Sequence, residues 1–138
     1  MTWYTGPISA TRPAYNTATR SQVSAITHDM GVIAETCDRV AVLYAGRVAE
    51  IGPVYQVINQ AAHPYTAGLM ASIPDMDSDR ERLNQIDGAM PRLNAIPKGC
   101  AFNPRCPQAF ERCRQERPDL VQAGANLAAC WLHDGSAA

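Results

Sequence analysis

Four of the five cysteines of this chain lie near its C-terminal end, and they constrain its fold more than any other feature. Cys100, Cys106, Cys113 and Cys130 follow the pattern C-x5-C-x6-C-x16-C. The segment 83–138 around them contains five prolines and no long apolar run. A segment with so small an apolar core usually needs a metal or disulfides for stability. We therefore expect the four thiolates to converge on one inorganic centre, in a small and irregular cysteine-rich lobe.

The residue types leave the chemistry of that centre open, because four thiolates can bind either zinc or an iron–sulfur cluster. The spacing lacks the C-x2-C pairs of most structural zinc sites, and it suits ligands from loops and from a short helix at 107–113. Two disulfides are the alternative for an exported protein. The first 22 residues lack the continuous apolar stretch of a secretory signal, however, and disulfides are rare in the cytosol. Cysteines without any metal role are the remaining alternative.

Three further residues bear on this cluster. Arg105, in a turn predicted at Asn103-Pro104-Arg105, is expected to offset the negative charge of the thiolates. His133 follows Cys130 by three residues and is a candidate substitute ligand. Cys37 is distant in the sequence, and we expect it to pack in a core.

The part of the chain before residue 75 shows the periodicities of short strands and helices. The predicted elements are strands at 23–27, 39–44 and 47–51, a turn at 45–46, and helices at 31–37, from 54 onward and at 63–74. Asp29 and His63 are candidates for capping the helices that follow them. Tyr65 and Leu69 are spaced to share a buried helix face.

Composition excludes two classes of partner. The net charge of −1 and the pI near 6.3 give no general attraction to nucleic acid or to anionic membranes. No apolar run approaches 18 residues, so we expect no direct membrane span.

Several segments resemble a known family. A histidine loop and the hairpin after it, ITHDMGVIAETCDRVAVLYAGRVAEIGPV, resemble the stretch that follows the catalytic site in ATP-binding-cassette (ABC) ATPases. Three further stretches resemble the ATP-binding subunits of bacterial dipeptide and oligopeptide ABC importers: HPYTAGLMASIP, QIDGAMPRLNAIPKGCAFNPRC and ACWL. The resemblance covers residues 23–133.

The resemblance implies a fold and a division of the chain. It implies an α/β fold, in which 23–74 is the C-terminal remnant of an ABC nucleotide-binding domain, built from short strands, a hairpin and helices. Residues 75–138 would be the C-terminal domain of peptide transporters, with the irregular cysteine-rich lobe. The segment 1–22 matches nothing in the family and is expected to be irregular.

The resemblance also assigns roles to five residues. His28 would be the switch histidine, which contacts the γ-phosphate of Mg²⁺-bound ATP and helps to orient the attacking water. The four cysteines would hold a [4Fe-4S] cluster, with zinc as the alternative: Cys100, Cys106, Cys113 and Cys130. The chemistry of His28 is reasonable, since phosphoryl transfer depends mostly on positioning and on charge stabilisation.

The sequence departs from the family at the ATP site. The phosphate-binding motif G-x-x-x-x-G-K-[ST], a signature segment beginning LSGGQ and an apolar strand ending in Asp-Glu do not occur, and Lys98 is the single lysine. We therefore expect no ATPase activity from this chain alone. A truncated or frameshifted gene, or a partial gene model, is the simplest account. The strand before His28 would then lack sheet neighbours and expose a pairing edge.

The expected function is that of the C-terminal part of a peptide-importer ATP-binding subunit, which couples ATP binding and hydrolysis to peptide uptake. The implied partners are a second ATP-binding subunit and membrane permease subunits, at the cytoplasmic face of the cell membrane. The alternative is a stand-alone cysteine-rich metal or iron–sulfur binding module without a transport role.

Overall fold

The sheet is the main framework of the molecule. The computed structural model of the chain describes residues 3–5, 25–27, 29–73 and 85–135. Its strands are β1 (Trp3–Thr5), β2 (Ala25–Thr27), β3 (Arg39–Tyr44), β4 (Arg47–Pro53), β5 (Val121–Ala123) and β6 (Asn126–Ala128). They form one six-stranded sheet in the order β2-β1-β3-β4-β6-β5. All five neighbouring pairs are antiparallel.

The antiparallel pairing corrects the expected α/β class, whose sheets are built mainly from parallel strands. Two pairs, β3–β4 and β5–β6, are joined by two-residue turns, a connection available only to antiparallel neighbours. At the first turn Ala45 and Gly46 both have positive φ, 49° and 76°, as in the type I′ turns that match the twist of a hairpin. The fold is therefore a mixture of helices and an antiparallel sheet.

Four short helices accompany the sheet: α1 (Met30–Thr36), α2 (Val54–Asn59), α3 (Pro64–Ala71) and α4 (Glu111–Gln115). Short 3-10 helices lie at Asn103–Arg105 and Trp131–His133. The predicted helix at 107–113 thus begins later, at Glu111. None of the helices in the described part of the chain combines the length and the apolar content that a membrane crossing requires.

Local signals in the sequence position the helices as predicted. Asp29 caps α1, because its side chain accepts hydrogen bonds from the backbone N–H groups of Gly31 and Val32 at 2.9 and 3.2 Å. The Nδ1 atom of His63 accepts from the N–H of Tyr65 at 3.0 Å and so caps α3. Both capping predictions are confirmed.

The core joins the two halves of the chain. Tyr44 of β3, Tyr65 of α3 and Phe102 contact one another, with ring centroids 4.6 to 5.4 Å apart. Cys37 is buried in the same core, as expected. Because Phe102 lies between Cys100 and Cys106, the cysteine segment packs into the same core as the hairpin.

The sheet connects the same two halves. Strand β6 pairs with β4, with Glu50 opposite Ala128 and Ile51 opposite Leu127. A separate cysteine-rich lobe is therefore not confirmed, since the described residues of this segment share both sheet and core with the hairpin. A small segment can bury more apolar area by packing on existing structure than by folding alone.

The N-terminal segment contributes one strand that we did not expect. We expected residues 1–22 to be irregular, yet Trp3–Thr5 forms β1 between β2 and β3. The other residues of that segment lie outside the described residues. Strand β2 is the outermost strand of the sheet on this side, so one of its edges has no partner among the strands of the described ranges.

Candidate functional site

The predicted switch histidine lies outside the described residues. Its neighbours define its place in the chain: β2 ends at Thr27, and Asp29 caps α1. The N–H of Asp29 also donates to the Thr27 hydroxyl at 3.1 Å, so the backbone on both sides of His28 is tied together. The role of His28 at the γ-phosphate stays a prediction.

The four predicted thiolate ligands surround a single cavity. Cys100, Cys106, Cys113 and Cys130 all line it, and we call it the cysteine cavity. All five cysteines of the chain are free thiols. Four residues that are up to 30 positions apart therefore point to one place in the fold.

Backbone contacts draw the first and third cysteines together. The N–H of Cys100 donates to the carbonyl oxygen of Cys113 at 2.9 Å. Gly99 makes this approach possible, because it has a φ of 72° and any Cβ there would collide with the Cys113 carbonyl oxygen. The side-chain amide of Asn103 donates to the carbonyl oxygens of Lys98 and Cys100, both at 2.8 Å, and fixes the loop.

Trp131 anchors the fourth cysteine, which it follows directly. Its indole N–H donates to the Glu116 carbonyl oxygen at 2.9 Å. The Arg112 guanidinium lies 3.6 Å from the centre of the Trp131 ring, a cation–π contact. Cys130 is thereby linked to helix α4, which carries Cys113.

Burial favours the neutral thiol form of three of the four cysteines that line the cavity. It raises the pKa of Cys100, Cys106 and Cys130, that of Cys130 to about 11, and the neighbouring thiols of the same cavity add to each rise. Because a metal binds the thiolate form, binding would release protons, and affinity would increase with pH.

The arrangement of these groups does not by itself support a metal ion or an iron–sulfur cluster. Across residues 3–5, 25–27, 29–73 and 85–135, no three His, Cys, Asp or Glu side chains come close enough to hold one. His133, the candidate substitute ligand, has its Nε2 atom 2.8 Å from the Ala62 carbonyl oxygen and does not line the cysteine cavity. The backbone contact occupies that ring nitrogen.

Arg105 has a different role from the one expected. Its guanidinium donates to the carbonyl oxygens of Asp87 and Ile86 at 2.8 and 2.9 Å and to the Tyr44 hydroxyl at 3.4 Å. It therefore ties the segment before the cysteines to the aromatic core and does not face the thiols. A half-buried guanidinium needs hydrogen-bond acceptors, and these carbonyl oxygens and the hydroxyl supply them.

A buried polar network beside the cysteine cavity was not predicted. Glu50 is fully buried and accepts hydrogen bonds from the N–H groups of Ala62 and His63 at 2.8 and 2.9 Å, and from the Asn126 amide at 2.7 Å. Burial, and then the nearby His133, lower the pKa of His63 to about 4. One feature of the sequence could have indicated this network: Glu50 is the single acidic residue of strand β4.

Comparison with known proteins finds one family model that matches part of the sequence. Residues 49–113 match the family model described as the C-terminal region of oligopeptide/dipeptide transporters. This range includes Glu50, His63 and the first three cysteines of the cavity.

Related proteins extend the match. The chain is 44% identical over 110 residues to the dipeptide transport ATP-binding protein DppD of Bacillus subtilis, covering 79% of this chain and 33% of the relative. It is 43% identical over 117 residues to the oligopeptide transport ATP-binding protein OppD of Salmonella typhimurium, covering 85% and 34%. The OppD protein of Haemophilus influenzae is 45% identical over 119 residues, covering 86% and 35%. The chain thus spans about a third of the length of these relatives; over that part it is similar to peptide-transport ATP-binding proteins, and its residues 49–113 match the C-terminal region of oligopeptide/dipeptide transporters.

Proposed function

We propose that this chain acts as the C-terminal part of the ATP-binding subunit of a peptide ABC importer. The observation that carries the proposal is the match of residues 49–113 to the transporter C-terminal region, together with relatives over 79 to 86% of the chain. These relatives are transport proteins, which favours the importer over a stand-alone metal-binding module. The complete subunit would bind ATP with Mg²⁺ and couple its hydrolysis to peptide uptake.

The partners follow from this assignment. A second ATP-binding subunit would complete the pair of nucleotide sites, and membrane permease subunits would carry the peptide. The protein would then be peripheral, at the cytoplasmic face of the cell membrane. Selectivity for particular peptides would lie mainly in other subunits.

In the assembled importer, His28 would contact the γ-phosphate. Its position between the end of β2 and the capped start of α1 supports this role, because ligands of sheet proteins often sit at strand ends. A hydrogen-bond donor held there would stabilise charge that develops during phosphoryl transfer. The chain lacks the phosphate-binding motif, so the other groups of the site would have to come from elsewhere.

The four cysteines would hold an inorganic centre, either a [4Fe-4S] cluster or, as the alternative, zinc. Their convergence on one cavity as free thiols supports thiolate coordination. Four cysteines are the usual ligand set of such a cluster. The centre would cross-link the loop, helix α4 and the segment at Cys130.

A chimeric importer tests the proposal. Residues 23–138 of this chain would replace the matching part of Bacillus subtilis DppD, in a strain that lacks the native protein. We expect dipeptide uptake to be restored and His28→Ala to lower ATP hydrolysis by the purified importer about 100-fold. Glu35→Gln, an exposed change on α1, is the control and should leave hydrolysis unchanged.

Two results would contradict the proposal in different ways. A chimera that assembles with its partners and yet imports no dipeptide would refute the function. Full ATP hydrolysis by the His28→Ala chimera would refute the role of the histidine alone.

A further inference from the structure

A second and larger cavity lies beside the cysteine cavity. Its volume is about 530 Å³, within the range of about 300–1,000 Å³ that is typical of small-molecule pockets. The β3–β4 hairpin, the segment 96–102 and the segment 117–120 form its walls. We call it the arginine pocket, after Arg47 and Arg117 in its lining.

The floor of the arginine pocket is aromatic and its rim is aliphatic. Tyr44 and Phe102 are 3% and 2% exposed and meet edge to face at 5.3 Å. Ile96 and Leu120 line the opening and are 39% and 43% exposed. Apolar side chains of a ligand would displace water from the exposed surfaces of Ile96 and Leu120, which favours binding.

The charged residues of the pocket are available to a ligand. Arg47, Arg117 and Asp119 are all solvent-exposed. In the described part of the chain, none of the three forms an ion pair or a side-chain hydrogen bond. Two cations and one anion beside an apolar cavity select a ligand with a negative group, an apolar body and a positive group. Arginine is well suited to a carboxylate, because its planar fork can donate two parallel hydrogen bonds.

We propose that the arginine pocket binds a short peptide by its two charged ends. The C-terminal carboxylate would pair with Arg47 and Arg117, the N-terminal ammonium would pair with Asp119, and the side chains would contact the exposed rim at Ile96 and Leu120. The choice of a peptide rests on the proposed function, because an importer delivers peptides to the side of the membrane where this subunit would lie. The pocket would let imported peptide act back on the ATP-binding subunit.

Residues that line both cavities connect a bound peptide to the rest of the fold. His63, Cys100 and Phe102 line both the arginine pocket and the cysteine cavity. His63 also caps α3, and its backbone N–H donates a hydrogen bond to the Glu50 carboxylate. A ligand against this wall therefore contacts the network that joins α3 to the sheet.

Calorimetric titration of the full chain with the dipeptide Leu-Leu tests the proposal. We expect saturable binding with a Kd below about 1 mM. Leu-Leu amide, which lacks the carboxylate, and N-acetyl-Leu-Leu, which lacks the ammonium, should each bind at least about tenfold more weakly. Comparing the three ligands separates recognition of charge from general apolar association.

Variants of the protein provide the second arm. Arg47→Gln and Arg117→Gln should weaken Leu-Leu binding at least about tenfold and leave the affinity for Leu-Leu amide unchanged. Asp119→Asn should do the converse, weakening Leu-Leu but not N-acetyl-Leu-Leu. Arg39→Gln is the matched control, since Arg39 is exposed at the far end of β3 and does not line the pocket.

Two outcomes would overturn the inference. One is the absence of saturable Leu-Leu binding up to about 1 mM by protein whose circular dichroism shows a folded chain. The other is equal binding of the acid and the amide, which would remove the role of the arginines. Neither outcome affects the chimeric importer, whose dipeptide uptake tests the proposed function separately.

Discussion

Glu50 and His63 connect three distant parts of the chain through side chains that the sequence alone does not mark as a pair. Glu50 lies in β4, its partners Ala62 and His63 precede α3, and Asn126 begins β6. The capping role of His63 was predictable, because a cap is a contact between residues two positions apart. The contact with Asn126 was not, because it spans 76 positions and depends on how β6 joins the sheet.

The buried His63 predicts a pH dependence of stability. Its pKa is about 4 in the folded protein and 6.5 ordinarily, so the unfolded chain binds an extra proton between these values. The stabilisation is complete above pH 6.5 and is lost as the pH falls towards 4. We expect the free energy of unfolding to drop by about 2 kcal/mol between pH 7 and pH 5 through this group. Urea unfolding of the metal-free protein at both values measures the drop.

The matched variant for this measurement is His63→Asn, which keeps a capping side chain but does not titrate in this range. Its unfolding free energy should change about 2 kcal/mol less than that of the unmodified protein over the same pH interval. Equal pH dependence in the two proteins would show that His63 does not remain neutral in the fold.

Secondary-structure elements were predictable where the signal is local and continuous. The apolar run of β3, the Ala45-Gly46 turn and the prolines that open α2 and α3 predicted where β3, β4, α2 and α3 begin to within one residue. Strands β5 and β6 were missed, because three residues each carry no readable alternation and their pairing depends on β4. The cysteines were assigned to one cavity, yet their packing against the hairpin core depends on Phe102, an isolated aromatic residue in the sequence.

Two glycine substitutions should lower the free energy of unfolding by unequal amounts, because Gly99 lies against Cys113 whereas Gly124 faces open space. Gly99→Ala would place a Cβ against the Cys113 carbonyl oxygen at a φ of 72° and break the Cys100 hydrogen bond. Gly124→Ala, at a φ of 62°, meets open space and costs only the backbone strain. We expect losses of about 3 and about 1 kcal/mol respectively, measured by urea unfolding. Similar losses for both would mean that the loop can move away from helix α4.

At the scale of the whole molecule, the cysteine segment and the strands form one structure. Phe102 joins the aromatic core, Arg105 binds Tyr44, and β6 extends the sheet from β4. The prolines and the shortage of apolar runs in the cysteine segment suggested a separate lobe. The sequence of a segment shows how much apolar core it could build by itself. It does not show which other part of the chain the segment packs against.

If the four cysteines hold the proposed inorganic centre, the shared core predicts that this centre stabilises the entire molecule. In protein purified without oxygen, Cys100→Ser and Cys130→Ser should lose bound metal, whereas Cys37→Ser, a buried cysteine outside the cavity, should retain it. Removing the metal from the unmodified chain should then lower the unfolding midpoint equally by far-ultraviolet circular dichroism, which follows the sheet and helices, and by Trp131 fluorescence in a Trp3→Phe background. If only the fluorescence midpoint fell, the cysteine segment would be unfolding by itself, and the common core of Tyr44, Tyr65 and Phe102 would not couple the two halves.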